Sequence, residues 1–548
     1  MNVYQPPTFD SPIDLDLSRN EGRPIITRID LDPAIVPALT SRYPDTTNLT
    51  RLVAARHGVD PERVMVTAGA DDALFRCLLR CGGSVVTTNP TFEMVRRYSN
   101  QIGLDLTEVD WWEGDLPVGE LLDTAADMAV IVSPNNPTGS VISDADLRKL
   151  ADRFETVVLD AAYAEFADED LTGVGLELDN VIVLRTLSKA FGLAGLRVGY
   201  ALGSPDVIAE LTAFGSPYSV SALSAKLAET VLESATEQAE RFASVIAGER
   251  TRLFEVLDDL HAGPLPSRAN FVLATNVDPD WVVPAAASLG VGLRRFPDHR
   301  DLAKSVRIGL PGDPEGFQRL TQVLRTVLAP EAILFDMDGV LADVRQSFRA
   351  AIVATAARFG VEVTTDDIAA AKASGHASDD WELTRRLCVA AGVEVSFDEV
   401  KARFEQIYQG EGSAKGLKEK DRLLADRDRL ESWAAMMPLG VVTARPRKDA
   451  NEFLERFDLA GYFSTVVTRE DAPPKPDPDP VTVACARLGV KRAWMLGDTP
   501  DDLRAARLAG VVPIAVVVPG DDKSAVSDAA RILESVDQLQ EVFDATNR

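Results

Sequence analysis

The chain has 548 residues, too many for a single hydrophobic core and enough for about three or four compact units. Hydrophobic residues make up 46% and charged residues 26%, an ordinary globular balance, and no apolar run reaches the length needed to span a bilayer. A formal net charge of −28 repels nucleic acid and anionic membrane surfaces, which sets those partners aside and leaves small molecules. Residues 1–20 carry neither a basic start nor an apolar stretch, so no signal peptide is expected. Cys77, Cys81, Cys388 and Cys485 are scattered without histidine neighbours and read as reduced cytoplasmic thiols.

From about residue 63 short apolar runs alternate with amphipathic stretches. The segments VMVT, SVVTT, MAVIVS, TVVLD and VIVLR predict strands, and DADLRKLADRF with its counterparts predicts helices. That alternation specifies an α/β domain on a mostly parallel sheet. Residues 220–260 have a helical pattern, and FVLATN and VRIGL predict strands of a smaller lobe. A second α/β pattern opens with AILFDMDGVLAD, continues with helical segments over about 345–432, and returns to strands at LGVVTA, TVVTRE, AWMLGD and VPIAVVV. The predicted boundary lies near 329/330, giving domains 1–329 and 330–548.

In the first domain TAGADDAL places small residues at a strand-to-helix turn, where the backbone N–H groups of Ala70 and Asp71 are free to hold a phosphate. SPNNPTG is a turn whose Asn136 can hydrogen-bond a phenolic oxygen. VVLDAAYAEF ends a buried strand at Asp160, three residues before Tyr163. VLRTLSKAFGLAGLRVGY carries Lys189 after two hydroxyl residues and before a glycine-rich turn, which suits a Schiff-base lysine. Thr186, Ser188 and Arg197 then serve as ligands of a cofactor phosphate. Alone, SKAFG is equally a surface turn, and Asp160 or Tyr163 alone is equally a cap or a core residue. In this order the segments describe a pyridoxal-phosphate (PLP) site. A carboxylate at Asp160 keeps the pyridine nitrogen protonated, which PLP needs to act as an electron sink.

On these motifs residues 1 to about 328 resemble the fold-type I aminotransferases, and within them the histidinol-phosphate aminotransferases. The resemblance implies further roles. LSRNEGRP matches an Asn-Glu-X-Pro opening that places Asn20 near the substrate. SRYPD puts Tyr43 where a tyrosine reaches the cofactor phosphate of a second subunit, so a homodimer is expected. PTFEMVRRY puts Phe92 where a tyrosine stacks on the pyridine ring, keeping the ring face and losing the hydroxyl. VRIGL puts Arg307 where an arginine binds the substrate's anionic group. Ala161 departs from the acidic residue that commonly follows the aspartate. The same fold and motifs serve threonine-phosphate decarboxylases and aromatic aminotransferases, so substrate stays open at this point.

Residues 331–548 resemble the haloacid-dehalogenase superfamily in its phosphatase branch. In ILFDMDGVLAD, Asp336 and Asp338 stand two apart at a strand end, and alternation aims both toward the carboxyl edge of the sheet. The resemblance makes Asp336 the nucleophile and Asp338 the acid and base, which favours phosphate-ester hydrolysis over dehalogenation. It assigns Thr443 of GVVTARP to a phosphoryl oxygen and Lys475 of PPKPDP to the transferring group. Asp498 and Asp502 of MLGDTPDD hold Mg²⁺ with Asp336 and the Asp338 carbonyl. The helical insert is then a cap, in which His376 and Trp381 are candidate substrate contacts, each also a plain surface or packing residue. Because histidinol-phosphate aminotransferase makes a phosphate monoester, the fusion implies consecutive steps of histidine biosynthesis. A phosphatase clearing another ester, of phosphoglycolate type, and a degenerate scaffold domain are the other readings.

Overall fold

The computed structural model describes residues 6–26, 31–375, 379–411, 414–517 and 523–546. The chain forms two compact units. One comprises mainly Leu15–Val277 and Leu293–Arg319, the other Thr8–Asp14, Asp278–Gly292 and Leu320–Arg548.

The first unit is built on a seven-stranded sheet in the order Val64–Thr67, Gly199–Leu202, Val181–Thr186, Thr156–Asp160, Met128–Val132, Ser84–Asn89 and Asp105–Asp110. The five strands from Val181–Thr186 to Asp105–Asp110 pair in parallel, and Gly199–Leu202 runs antiparallel to both its neighbours. The apolar runs of the central strands are buried on both faces, which is why they read as continuous rather than alternating. Helix Ala70–Cys81 lays Leu74, Cys77 and Leu78 onto a core with Val85, Val130, Val158, Ile182 and Leu184. Parallel strands deliver their carboxyl ends to one edge, so Asp160 and Thr186 emerge side by side. A smaller antiparallel sheet, ordered Arg294–Arg295, Val306–Gly309, Phe271–Ala274, completes the unit. The strands Asp105–Asp110 and Gly199–Leu202 were not among those expected from the pattern, the first being mostly polar and the second only four residues long.

The second unit carries a six-stranded, all-parallel sheet in the order Phe463–Val467, Leu439–Val442, Ala332–Phe335, Ala493–Gly497, Val512–Val516 and Arg531–Leu533. Leu334, Val442, Val467, Val481, Ala484 and Met495 form its core. Residues 278–292 belong to this unit because Trp281 of helix Pro279–Ser288 meets Trp494 edge to face, with ring centroids 4.7 Å apart. Both indole N–H groups donate to backbone carbonyls, Val327 for Trp281 and Thr326 for Trp494, so burial leaves neither unsatisfied.

Between the first and second strands of this domain stand helices Phe348–Arg358, Thr365–Ala373, Asp380–Ala390 and Phe397–Gln409. The insert closes at a two-residue antiparallel ribbon, Ala342–Asp343 with Arg422–Leu423. The following helix, Arg427–Met436, belongs to the core side instead, because Trp433 packs on Phe335 and Phe543. The cap is therefore shorter than the 345–432 read from the helical pattern.

Candidate functional sites

The first candidate site grows from the turn after Val64–Thr67. Gly69 has φ +85°, and a Cβ there would lie 2.6 Å from Arg197 Nη2. Glycine is required twice over, by conformation and by the approach of the guanidinium. Helix Ala70–Cys81 starts at this point, so its first N–H groups lack intrahelical partners. Arg197, itself at φ 52°, reaches Asp71 Oδ2 at 3.2 Å. Gly199 lets the neighbouring strand touch the turn, since a Cβ there would sit 2.6 Å from Ala70 N. Thr186 and Ser188 are buried, with Thr186 Oγ1 donating to Ser188 Oγ at 3.0 Å. Backbone N–H groups, two hydroxyls and a guanidinium thus converge on one cradle, the donor set a phosphate needs.

Lys189 follows, with Nζ donating to the Asn20 carbonyl at 2.9 Å and standing 5.6 Å from the Tyr163 ring centroid. The segment around Asn20 reaches the lysine because Gly22 has no side chain. A Cβ at Gly22 would lie 1.7 Å from Lys189 O. Asn20, buried and at φ 53°, donates from Nδ2 to Tyr163 Oη at 3.4 Å. Asn136 is oriented by Arg307, whose Nη1 donates to Asn136 Oδ1 at 2.7 Å, so the Asn136 amide nitrogen is the end left to donate. Arg307 is buried over the Phe271 ring and also donates to Ser18 O at 2.8 Å. The loop bearing Phe92 is tied to the Asn136 turn through Asn135, which accepts from Thr91 Oγ1 and donates to Pro90 O. Tyr43 stands apart from this group, 79% exposed and stacked on Tyr218 at 4.5 Å.

Asp160 is buried at the strand end, and its Oδ1 accepts from Ala162 N at 3.1 Å. Burial, with Asp71 adding to it and Lys189 opposing, pushes its carboxyl up to about 7. The folded chain thus holds this proton more tightly than the unfolded chain does. Stability is fully present below about pH 4 and is lost as pH rises through 7, by about 4 kcal/mol for a shift of this size. Urea unfolding of cofactor-free protein at pH 5 and pH 8 is expected to show a larger loss of stability in the wild type than in Asp160→Asn, which keeps only the contributions of the other buried acids. The same pH dependence in both proteins would refute the assignment. A cationic ring nitrogen is what would let Asp160 ionise in place, so these residues fit PLP.

In the second candidate site Asp336 follows strand Ala332–Phe335, its backbone N–H donating to Leu496 O at 2.8 Å. Buried Lys475 donates to Asp336 Oδ1 at 2.6 Å and to Val442 O at 3.2 Å, and it also pairs with Asp502. Carboxylate oxygens of Asp336, Asp498 and Asp502 lie within 4.8 Å of one another, an all-oxygen set suited to a hard divalent cation. Gly339, at φ +80°, gives Asp498 its room, because a Cβ there would lie 2.1 Å from Asp498 Oδ2. Asp502 Oδ2 accepts from Thr499 N and Oγ1 in a capping box, which fixes the carboxylate at the start of helix Pro500–Leu508. Burial, then the surrounding acids, holds Asp336 well above the carboxylate range against the pull of Lys475. Burial likewise pushes Asp498 to about 7. Lys475 is held up despite burial by Asp336 and Asp502. The centre carries more acid than its lysine offsets, and a cation relieves that excess.

Thr443 is buried at the end of the adjacent strand, with its N–H donating to Val467 O at 2.9 Å. The side chain of Asp338 stands outside the trio. Arg445 holds its Oδ1 through Nε at 2.7 Å and Nη2 at 2.6 Å. Arg445 is buried, pairs with Asp421 at 3.1 Å and lies 4.7 Å over the Phe348 ring. Reasoning from the sequence missed Arg445, although its position two residues after Thr443 in TARP is a usable signal. Trp381 is buried between Lys401 and Arg469, which stand 4.5 and 4.0 Å from its ring. His376 lies outside the described residues.

Among known proteins, residues 38–322 match the Aminotransferase class I and II family, and residues 333–516 match Haloacid dehalogenase-like hydrolase. The chain is 32% identical over 299 residues to the histidinol-phosphate aminotransferase of Caldanaerobacter subterraneus, covering 52% of this chain and 84% of that protein. A Phytophthora nicotianae protein named imidazoleglycerol-phosphate dehydratase is 44% identical over 197 residues, covering 34% of this chain and 44% of that protein. The crystal structure of histidinol-phosphate aminotransferase from Sinorhizobium meliloti in complex with pyridoxal-5'-phosphate shares the fold at TM-score 0.50. It is 24% identical and covers 58% of this chain and 91% of that one. Family membership implies PLP as cofactor of the first domain. The chain belongs to the aminotransferase class I and II family and continues into a haloacid dehalogenase-like hydrolase domain.

Proposed function

We propose that residues 1–329 transfer an amino group between histidinol phosphate and 2-oxoglutarate, with glutamate as donor in the reverse direction, and that residues 330–548 hydrolyse a phosphate monoester, histidinol phosphate being the leading candidate. The observation that carries the first half is the meeting of Lys189, Asn20, Tyr163 and Asp160 at one strand edge, in a chain whose relatives include histidinol-phosphate aminotransferases. The Phytophthora relative, named for an imidazole phosphate, supports placing both steps in histidine biosynthesis.

When bound, PLP supplies an electron sink for the substrate's α-carbon. Asp160 would pair with the ring nitrogen, and Asn136 and Tyr163 would donate to the phenolic oxygen. Ala70, Asp71, Thr186, Ser188 and Arg197 would hold the phosphate, joined by Tyr43 of a second copy, and Phe92 would stack on the ring. Lys189 Nζ would take the substrate's α-proton and then give it back, serving as base and then acid. Asn20 and Arg307 bind the substrate's polar groups.

In the second half Asp336 attacks phosphorus, forming an aspartyl-phosphate, while Asp338 gives a proton to the departing alkoxide. Asp338 then takes a proton from the water that cleaves this intermediate and releases phosphate. Thr443 and Lys475 bind phosphoryl oxygens. Asp336, Asp498, Asp502 and the Asp338 carbonyl would hold Mg²⁺, which neutralises charge on the phosphoryl group. Four free cysteines accord with a cytoplasmic protein, and the exposed Tyr43–Tyr218 pair accords with a homodimer.

Holoprotein given histidinol phosphate and 2-oxoglutarate is expected to form glutamate. Given histidinol phosphate and Mg²⁺ it is expected to release phosphate, and excess EDTA should stop that release alone. Glutamate formed only from other amines would overturn the first substrate. Faster release from unrelated small esters would overturn the second.

A further inference from the structure

The cap meets the core beside the acidic centre. Arg469 Nη2 donates to Asp379 Oδ2 at 2.8 Å, and a Cβ on Gly375 would lie 3.3 Å from Asp501 Oδ1. The end of helix Thr365–Ala373 and the start of helix Asp380–Ala390 therefore stand over Asp498 and Asp502. There Lys372 Nζ lies 3.7 Å from Asp380 Oδ1, and the two side chains are 15% and 13% exposed. The charge of Lys372 reaches Asp498 and Asp338, and Asp338 in turn acts on Asp380, so the pair lies near the reacting groups.

Asp380 Oδ1 is buried and has no hydrogen-bond partner among the described residues. At 3.7 Å the lysine offers Coulomb attraction without a hydrogen bond. An orphaned buried acceptor of this kind needs an explanation. Among the neighbouring acids, Asp379 is engaged by Arg469 and the helix N-terminus, Asp338 by Arg445, and Asp336 and Asp502 by Lys475. Arg349 and Lys372 act on Asp498, and Lys372 also attracts Asp380 from 3.7 Å without a hydrogen bond. What Asp380 Oδ1 lacks is a hydrogen-bond donor, and a substrate can bring one.

We infer that Asp380 binds a cationic nitrogen on the leaving group, making the centre selective for phosphate monoesters of amino alcohols. The inference rests on the reading of this domain as a phosphohydrolase and narrows its substrate class. A protonated amine or imidazole N–H facing Asp380 makes a charge-assisted hydrogen bond, whereas a leaving group bearing a carboxylate meets a like charge.

The test compares kcat/KM of the full-length protein with Mg²⁺ on L-histidinol phosphate and O-phosphoethanolamine, on uncharged-alcohol glycerol 3-phosphate, and on anionic 2-phosphoglycolate. The wild type is expected to prefer the amines by about tenfold or more, the scale of one charge-assisted bond. Asp380→Asn should cut the amine-to-glycerol ratio by a similar factor and Asp380→Glu should keep part of it, with melting curves confirming that both variants fold. An amine-to-glycerol ratio unmoved in Asp380→Asn, or a wild type that favours glycerol phosphate or phosphoglycolate, overturns the inference and leaves the phosphohydrolase reading standing. A wild type that hydrolyses none of the four, or whose phosphate release survives Asp336→Asn, overturns that reading and this inference with it.

Discussion

Lys189→Ala is expected to lower transamination by about ten-thousand-fold or more, the scale of removing both an acid–base group and the cofactor's covalent anchor. Phosphate release by the same protein should be unchanged, because every residue assigned to that reaction lies beyond residue 330. The geometry makes the lysine hard to replace. Its Nζ is aimed by the Asn20 carbonyl and the face of Tyr163, and Gly22 and Gly192 admit the N-terminal segment that supplies this carbonyl. Lys189→Arg keeps the positive charge but not the chemistry, since a guanidinium stays protonated and cannot take the α-proton. Both variants should therefore fail alike. Borohydride treatment of the holoprotein followed by peptide mapping gives a readout apart from rate, with the cofactor expected on the peptide containing Lys189. Transamination within tenfold of wild type in Lys189→Ala would sink the assignment.

Asp160 and Asp336, to which the proposed chemistry assigns roles, were legible in the sequence because they sit at the ends of apolar strands. A run such as TVVLD or AILFD both makes the strand and marks the residue it delivers to the sheet edge. Long-range partnerships were not legible. Arg307 orienting Asn136 spans 171 residues and Arg445 holding Asp338 spans 107, and neither pairing has a local signature. Asp379 caps helix Asp380–Ala390, its carboxylate accepting from Trp381 N and Glu382 N. Only the fold shows that the next carboxylate turns toward Lys372. The glycines were visible as turn residues, but why Gly69, Gly199 and Gly339 admit no side chain depends on Arg197, Ala70 and Asp498, which are brought near only by folding. The polar strand Asp105–Asp110 escaped notice because its place at the sheet edge leaves most of it exposed, so no apolar run marks it.

Asp336→Asn should reduce phosphate release by about ten-thousand-fold or more, since the amide offers no anionic oxygen to attack phosphorus. The accompanying effect on stability separates a reacting group from a structural one. Removing one partner of a buried ion pair normally destabilises a protein by leaving the other charge alone. Here Lys475 keeps Asp502, and the amide oxygen still accepts its hydrogen bond. Meanwhile burial and the neighbouring acids disfavour ionised Asp336, a cost that the neutral amide removes. In EDTA the melting temperature of Asp336→Asn is therefore expected to equal or exceed that of the wild type. Mg²⁺ should raise the wild-type melting temperature and raise that of the variant less, because the trio has lost one charged ligand. A variant that melts lower in EDTA would show Asp336 to be chiefly a support for Lys475. One that still releases phosphate at a tenth of the wild-type rate would move the nucleophile elsewhere. The combination of lost rate with kept or gained stability is what a carboxylate placed for reaction, at some expense to the fold, has to give.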